Sequence, residues 1–192
     1  MKNSLLAASF IATFFLHIGA VFGAQQYVLD PDHSHVTWHV NHFGFSDLSG
    51  TIVAQGNIML DEALLQNSTV NVTLNIAGIQ TPSAKFTQML KSSQFFNVSS
   101  FPNASFVSDS IQMTGKNTAK VSGTLTIHGV SKPVVLNTRI NKIGMHSYYG
   151  VKAAGFSAVT VIKRSDFGLG AFSPGVSDEV KVNIEVEAKI GS

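Results

Sequence analysis

Residues 180–190 read VKVNIEVEAKI, an uninterrupted alternation of apolar and polar side chains. Successive side chains of a β-strand point to opposite faces, so this alternation predicts a strand with one apolar and one polar face. Residues 36–40 and 70–76 alternate in the same way. Weaker alternation runs through residues 50–60, 104–112, 119–128, 133–141 and 152–163. The sequence therefore predicts eight strands.

Eight strands with one apolar face each must bury those faces against one another. Two all-β architectures do this, the sandwich and the closed antiparallel barrel. A closed barrel has no free edge strand, and eight strands enclose either a core of side chains or a ligand. The alternation alone leaves both architectures open.

The alternation stops over residues 81–102. Thr81 is a candidate N-cap with Pro82 at the first helical position, and Phe86, Met89 and Leu90 recur at helical spacing. The pattern predicts a short amphipathic helix around residues 82–91. Three further aromatic residues follow it, namely Phe95, Phe96 and Phe101. This apolar cluster is either a plug at one end of the barrel or a wall of an apolar tunnel, and the two interpretations are compatible.

Composition excludes several classes of protein. The chain has 192 residues and no cysteine, so disulfides and thiolate metal sites are excluded. A net charge of +2 with only 12% charged residues argues against binding of nucleic acid, which normally requires a dense basic stripe. A hydrophobic fraction of 44% argues against disorder. The length fits a single domain.

The first 23 residues have the pattern of a cleavable leader. Lys2 precedes an apolar run over residues 5–16, and Val21 and Gly23 provide suitable residues before a cleavage site. We expect residues 1–23 to be a signal peptide and residues 24–192 to be one exported, periplasmic domain. No later segment reaches the roughly 18 apolar residues that a spanning helix needs. We therefore expect no stable membrane anchor.

Four histidines lie within ten residues, at His33, His35, His39 and His42. Strand residues two apart lie about 6.6 Å apart on one face, so His33 and His35 are close enough to share an ion, whereas His35 and His39 are about 13 Å apart. His35 and His39 also fall on the polar face of their strand. The spacing favours hydrogen-bonded or solvent-facing histidines and no metal. The alternative is a metal-dependent enzyme that adds a distant histidine, His128 or His146.

Catalytic motifs of the G-x-S-x-G and H-E-x-x-H types are absent, and the sequence gives no reason to expect an enzyme. One of the two arginines, Arg164, stands beside Asp166 directly after a long apolar strand. One interpretation is a structural Arg–Asp pair at the rim of the barrel. The other is a contact with an anionic group at the cavity mouth, because guanidinium matches phosphate well.

Several motifs together resemble the YceI-like family of periplasmic, polyisoprenoid-binding, lipocalin-like proteins. The resemblance covers residues 27–190 and is strong because the motifs occur in the family's order and spacing. They read YVLDP at residues 27–31, HS at 33–34, HFG at 42–44, LKS at 90–92, FFNV at 95–98, FP at 101–102, GTLTIHGVSKP at 123–133, RSDFG at 164–168 and DEV at 178–180. Many relatives carry an Arg-Asp pair where this chain has Phe86 and Thr87, which makes a charged head group less expected here.

The resemblance implies an eight-stranded antiparallel lipocalin-like barrel that holds an isoprenoid lipid, either a polyprenyl phosphate or a polyprenyl quinone. It implies no enzymatic reaction and no cofactor. We expect the cavity lining to include Val36, Trp38, Val40, Phe86, Leu90, Phe95, Phe96, Phe106 and Phe156. Candidate contacts to the head group or rim are His33, His42, Arg164 and Asp166.

Three functional hypotheses follow. The first is a lipid-binding protein acting as a carrier or a stress-response scavenger, with transient membrane contact allowed. The second is the histidine-based metal enzyme or metal-binding protein, and the third is a structural barrel with a solid core and no ligand. The oligomeric state stays open, with a dimer among the options.

The leader hypothesis predicts the mass of the exported protein. Cleavage after Gly23 removes the apolar run, so mature protein should begin at Ala24 or Gln25. Intact-mass spectrometry of protein from the periplasmic fraction measures this directly. A mass that still includes residues 1–23 would contradict the expectation.

Overall fold

Nine strands and one α-helix make up the main regular structure that a computed structural model describes over residues 23–191. In chain order they are β1 (Gln25–Leu29), β2 (His35–His42), β3 (Ser46–Leu60), β4 (Thr69–Asn75), α1 (Ala84–Lys91), β5 (Asn103–Gly115), β6 (Thr118–Ile127), β7 (Val130–Met145), β8 (Lys152–Lys163) and β9 (Glu179–Ile190). The expected leader lies outside the described residues apart from Gly23.

The strands form one closed antiparallel barrel. From β3 the neighbours run β2, β9, β8, β7, β6, β5 and β4, and pairing of β4 with β3 closes the ring. Both β1 and β2 pair with β3 and with β9. These two strands therefore lie end to end and together occupy one strand position of the barrel. The barrel therefore has eight strand positions, as the alternation and the resemblance predicted. The strand β1 was not predicted.

Closure depends on a glycine in β3. Gly56 pairs with Val72 of β4 and has a φ of +140°. A Cβ at this position would lie 2.2 Å from the carbonyl oxygen of Asn71, far inside van der Waals contact. Glycine adopts positive φ without steric cost, and it lets the two strands approach each other. The residue type at position 56 is thus set by the closing seam of the barrel.

The break between β1 and β2 is bridged by a buried serine. Ser34 is fully buried, and its hydroxyl donates to the carbonyl oxygen of Glu187 at 3.0 Å. The same hydroxyl accepts from the backbone N–H of Glu187 at 3.2 Å. A side chain thus replaces the ladder bonds that the interrupted strand cannot make, and buried backbone groups stay paired.

Charged side chains add a second connection across this break on the outer wall. The Asp30 carboxylate contacts Lys189 Nζ at 2.7 Å and His33 Nδ1 at 2.9 Å. These two contacts lower the pKa of Asp30 to about 2. The hydrogen bond that the His33 ring donates to the Asp30 carboxylate raises the pKa of the His33 imidazole. His33 therefore links the break to β9 most strongly when its ring is protonated.

The helix begins later than the sequence analysis predicted. Ser83, and not Thr81, is the N-cap, and its side chain accepts from the N–H of Phe86. The Thr81 hydroxyl instead donates to the carbonyl oxygen of Ser83 at 2.9 Å, and its backbone N–H donates to the Thr87 hydroxyl at 3.1 Å. Both Thr81 and Ser83 are good capping residues, so the sequence alone favoured the wrong one. Pro82 accordingly lies before the helix.

The end of the barrel opposite α1 holds a tightly packed cluster. Its buried members are Tyr27, Leu29, Ala54, Ile58, Leu60, Ala154 and Ala188. The alanines allow the strands to pack closely around Tyr27, which is fully buried. The Tyr27 hydroxyl reaches the surface side and donates to Glu62 Oε1 at 2.7 Å. The strands are therefore densely packed around Tyr27 at this end.

The His33–Asp30 contact predicts a pH-dependent contribution to stability. Because the folded-state pKa of His33 is raised, its contribution is present below the unfolded-state pKa and is lost as the pH rises through the folded value. Between pH 5.5 and pH 8, the wild type should lose more stability than His33→Gln, as measured by urea denaturation midpoints. His35→Gln, on the outward face of β2, is the matched control. An identical pH dependence in the wild type and His33→Gln would contradict the prediction.

Candidate functional site

The middle of the barrel is hollow. A cavity of about 580 Å³ runs along the inside of the strands. The inward side chains of β4 and β9, including Val72, Val182 and Ile184, are only partly buried although they point to the barrel axis. They face empty space where a solid core would supply packing atoms. The hypothesis of a structural barrel with a solid core is therefore wrong.

All nine residues that the sequence analysis expected in the cavity lining do line it. They are Val36, Trp38, Val40, Phe86, Leu90, Phe95, Phe96, Phe106 and Phe156. Four of them come from the connection over residues 81–102, and the other five come from three different strands. Contact of these side chains with a ligand stays a prediction.

The cavity opens at the end of the barrel that carries α1. Of its lining residues, the three with the greatest exposure are Phe172 at 55%, Phe43 at 53% and Met89 at 41%. They belong to the connection after β8, to the turn between β2 and β3, and to α1, which meet at this end. We call this opening the mouth. The cluster around Tyr27 lies at the other end, where four of its members, Leu29, Ala54, Ile58 and Leu60, line the cavity.

Aromatic contacts build the wall beside the mouth. Trp38 and Phe86 meet edge to face with ring centroids 6.2 Å apart, and Phe95 stacks on Phe172 at 6.1 Å. The Trp38 ring packs flat on Gly50 of the neighbouring strand, where a Cβ would lie 2.5 Å from Cζ2. The connection over residues 81–102 thus forms part of the tunnel wall and covers this end.

Two aromatic residues at the mouth, Phe43 and Phe172, were not predicted from the sequence. Phe43 follows the end of β2, and Phe172 lies in a loop without any regular structure. The one available signal was composition, because residues 168–177 carry no charged side chain although they lie between strands. A loop between strands that has no charged side chain indicates contact with an apolar surface.

Arg164 shapes the mouth and does not pair with Asp166. Its guanidinium is buried and donates to the carbonyl oxygens of four residues in the connection after β8, namely Leu169, Ala171, Val176 and Ser177. Burial lowers the pKa of Arg164. Among residues 23–191 no ion pair joins Arg164 to Asp166, which is exposed. The predicted Arg–Asp pair is therefore wrong, because the arginine instead satisfies the backbone of a loop.

The four candidate head-group contacts lie in different places. His42 and Arg164 line the cavity near the mouth, whereas His33 and Asp166 are not among the lining residues. His33 belongs to the outer wall beside Asp30 and Lys189. Contact of His42 or Arg164 with a ligand stays a prediction.

One group of side chains has the spacing of a metal site, although a different one from the predicted alternative. Ligand atoms of Asp30, His33 and Glu187 lie within 4.8 Å of one another. Lys189 Nζ already supplies a cation at 2.7 Å from Asp30, and the nearest nitrogen of His33 bonds to the same carboxylate. The arrangement is that of an ion network with its own cation.

The other histidines of the metal hypothesis do not complete this group. His146 Nδ1 accepts from the backbone N–H groups of Tyr148 and Tyr149, so the ring hydrogen of the neutral form lies on Nε2, 3.6 Å from Glu187. An Nε2 that carries a hydrogen is not a metal ligand. His128 packs its ring against Phe101 in the turn between β6 and β7. The structure does not bring the histidines of the hypothesis to one point.

Within residues 23–191, no helix has the length and hydropathy needed to cross a membrane.

Comparisons with known proteins agree with this architecture. The UPF0312 protein of Pseudomonas putida strain F1 is 34% identical over 191 residues, which is 97% of each chain. The crystal structure of Burkholderia cenocepacia BcnA has a TM-score of 0.73 at 24% identity and covers 83% of this chain and 99% of that one. A polyisoprenoid binding domain from Saccharophagus degradans has a TM-score of 0.63 at 15% identity, over 86% of this chain and 98% of that one.

The barrel and the sequence thus have counterparts in known proteins. The sequence pattern of the YceI-like domain matches residues 27–188, which span β1 to most of β9. The protein therefore belongs to the YceI-like domain family.

Proposed function

We propose that this protein binds an isoprenoid lipid in the barrel and carries it through the periplasm after export. The observation that carries the proposal is the cavity of about 580 Å³ with an almost wholly apolar lining. Pockets of this volume bury most of a small ligand, and each buried methylene contributes about 0.8 kcal/mol. Such a ligand needs a long apolar space and no catalytic group.

The isoprenoid class is supported by the relatives. One structural neighbour is a polyisoprenoid binding domain, and the motifs of this chain resemble those of the same family. The leader-like pattern over residues 1–23 supports export. A carrier of this kind keeps the lipid tail out of water between two membranes.

The lining favours a neutral head group over a phosphate. Arg164 is the one lysine or arginine among the lining residues of the described chain, and carbonyl oxygens already occupy its guanidinium. A buried phosphate without a free cationic partner would be costly. We therefore propose a polyprenyl quinone or another neutral isoprenoid as the preferred ligand.

Removal of lipid should lower the thermal stability of the purified protein. A ligand that binds only the folded state adds about 2.7 kcal/mol at a hundredfold excess over Kd, which is several degrees of Tm for a chain of this size. Extracted protein should melt earlier and recover on addition of a polyprenyl quinone, with a shift in the emission of Trp38. Polyprenyl phosphate should restore less. If neither lipid changes Tm or emission, the proposal fails.

Filling the cavity should prevent lipid binding without unfolding the barrel. Ala158 is buried, points inward and lines the cavity, so Ala158→Phe places a ring where the lipid tail would lie. The neighbouring Val159 is 50% exposed on the outer face, and Val159→Phe is the matched control. Mass spectrometry of an organic extract should find at least about fivefold less lipid per protein in Ala158→Phe than in the control, since the ring displaces several methylenes. Equal lipid in both variants would contradict a ligand inside the barrel.

A further inference from the structure

Large apolar side chains project into solvent around the mouth. Phe45, at the tip of the turn between β2 and β3, is 91% exposed, and Phe43 in the same turn is 53% exposed. Phe172 on the facing loop is 55% exposed, and Met89 on α1 is 41% exposed. We call these four residues the mouth patch. Exposed apolar residues grouped in this way mark contact with another apolar surface.

Two residues of the mouth patch are held against their local backbone preference. Phe43 has a φ of 54° and Phe172 a φ of 63°, in the left-handed region that bulky residues rarely adopt. The N–H of Phe43 donates to the carbonyl oxygen of Gly175 at 2.6 Å, and the N–H of Val176 donates to that of Phe172 at 2.9 Å. The Phe43 ring also lies directly on Gly175. The two loops thus hold each other in the conformation that presents these rings.

Lysines of α1 flank the mouth patch, and the two carboxylates that border its turn and loop accept hydrogen bonds from neighbouring side chains, Asp47 from Asn41 at 3.1 Å and Asp178 from Ser165 at 2.7 Å. Residues 42–46 and 168–177 contain no lysine, arginine, aspartate or glutamate. On α1, Lys85 lies one helical turn before Met89, and Lys91 is the last residue of the helix. Between residues 63 and 108 the chain carries these two lysines and no acidic residue. Lysines beside exposed phenyl rings match the phosphate layer and the acyl region of a bilayer that contains anionic lipid.

We propose that the mouth patch docks the barrel on the surface of a bilayer containing anionic lipid, so that the ligand moves between bilayer and cavity without crossing water. This inference rests on the proposed lipid-binding function. Continuity supports it, because Phe43, Met89 and Phe172 belong both to the mouth patch and to the cavity lining. Phe45 is the residue that enters the bilayer interface first, since it is the most exposed.

A vesicle flotation assay tests the docking surface directly. The variant is Phe45→Ser, which lies outside the cavity lining, and the control is Tyr148→Ser. Tyr148 is also highly exposed, at 85%, but it lies between β7 and β8 at the other end of the barrel. With vesicles of phosphatidylethanolamine and phosphatidylglycerol, Phe45→Ser should bind at least about fivefold more weakly, since a phenyl ring leaves the interface. Tyr148→Ser should bind like the wild type.

Several results of this assay would overturn the docking proposal. They are wild-type protein that does not float, equal binding by Phe45→Ser, and an equal loss in Tyr148→Ser. Light scattering of the free proteins tests a second copy of the chain as the occupant. If Phe45→Ser converts a dimer to a monomer and leaves flotation unchanged, the patch is an interface between copies and the proposal is wrong.

Uptake from two sources separates this proposal from the proposed function. A polyprenyl quinone is offered to extracted protein either in the same vesicles or dispersed in detergent. Phe45→Ser should slow uptake from vesicles at least about fivefold and leave uptake from detergent unchanged. If the wild type takes up lipid from neither source, the lipid-binding function is wrong. If the wild type and Phe45→Ser take up lipid from vesicles at the same rate, docking alone is wrong.

Discussion

Closure of the sheet is the constraint on which this structure depends. The inside of the barrel is hollow, so its inward side chains lack the partners on one side that a packed core would provide. The wall must therefore hold itself through a hydrogen-bonded ring with no free edge. The seam between β3 and β4 completes that ring, and Gly56 is the residue that lets it close. Ser34 serves the same purpose where β1 ends before β2 begins, because its hydroxyl takes over missing ladder bonds.

The two ends of the barrel differ in packing and in residue type. At the end opposite α1, small alanines let the strands pack around Tyr27, and this dense packing stabilises the fold. At the other end, α1 and the connection after β8 cover the barrel only in part and leave the mouth open. The buried Arg164 holds the covering loop in place beside the open mouth, because its side chain donates hydrogen bonds to four carbonyl groups of this irregular loop. The end around Tyr27 thus stabilises the fold, and the end that carries α1 gives access to the cavity.

Local patterns predicted the eight strand positions, the helix and the inward residues, because the period of the apolar side chains is a local property. The strand β1 was missed because its sequence, QQYVL, has three apolar residues in a row and does not alternate. Thr81 was taken as the cap because two capping residues lie two positions apart. The partners of Arg164 were beyond prediction. The neighbouring Asp166 was predicted as the partner because it is an acidic residue close in sequence. The actual acceptors are backbone carbonyl oxygens five to thirteen residues further on. Every residue has such an oxygen, so the sequence does not show which ones accept. The lysine that reaches Asp30 likewise comes from the other end of the chain.

The one-sided packing of the cavity lining has an evolutionary consequence. A substitution in a packed core disturbs neighbours on every side, whereas one in this lining changes the space facing it and leaves the hydrogen-bonded wall intact. Apolar residues here are free to exchange for one another at little cost in stability. Lineages that share the barrel can therefore diverge in the size and shape of the cavity they enclose. Such divergence changes the sequence and keeps the backbone, as in the comparison with BcnA, where the TM-score is 0.73 at 24% identity.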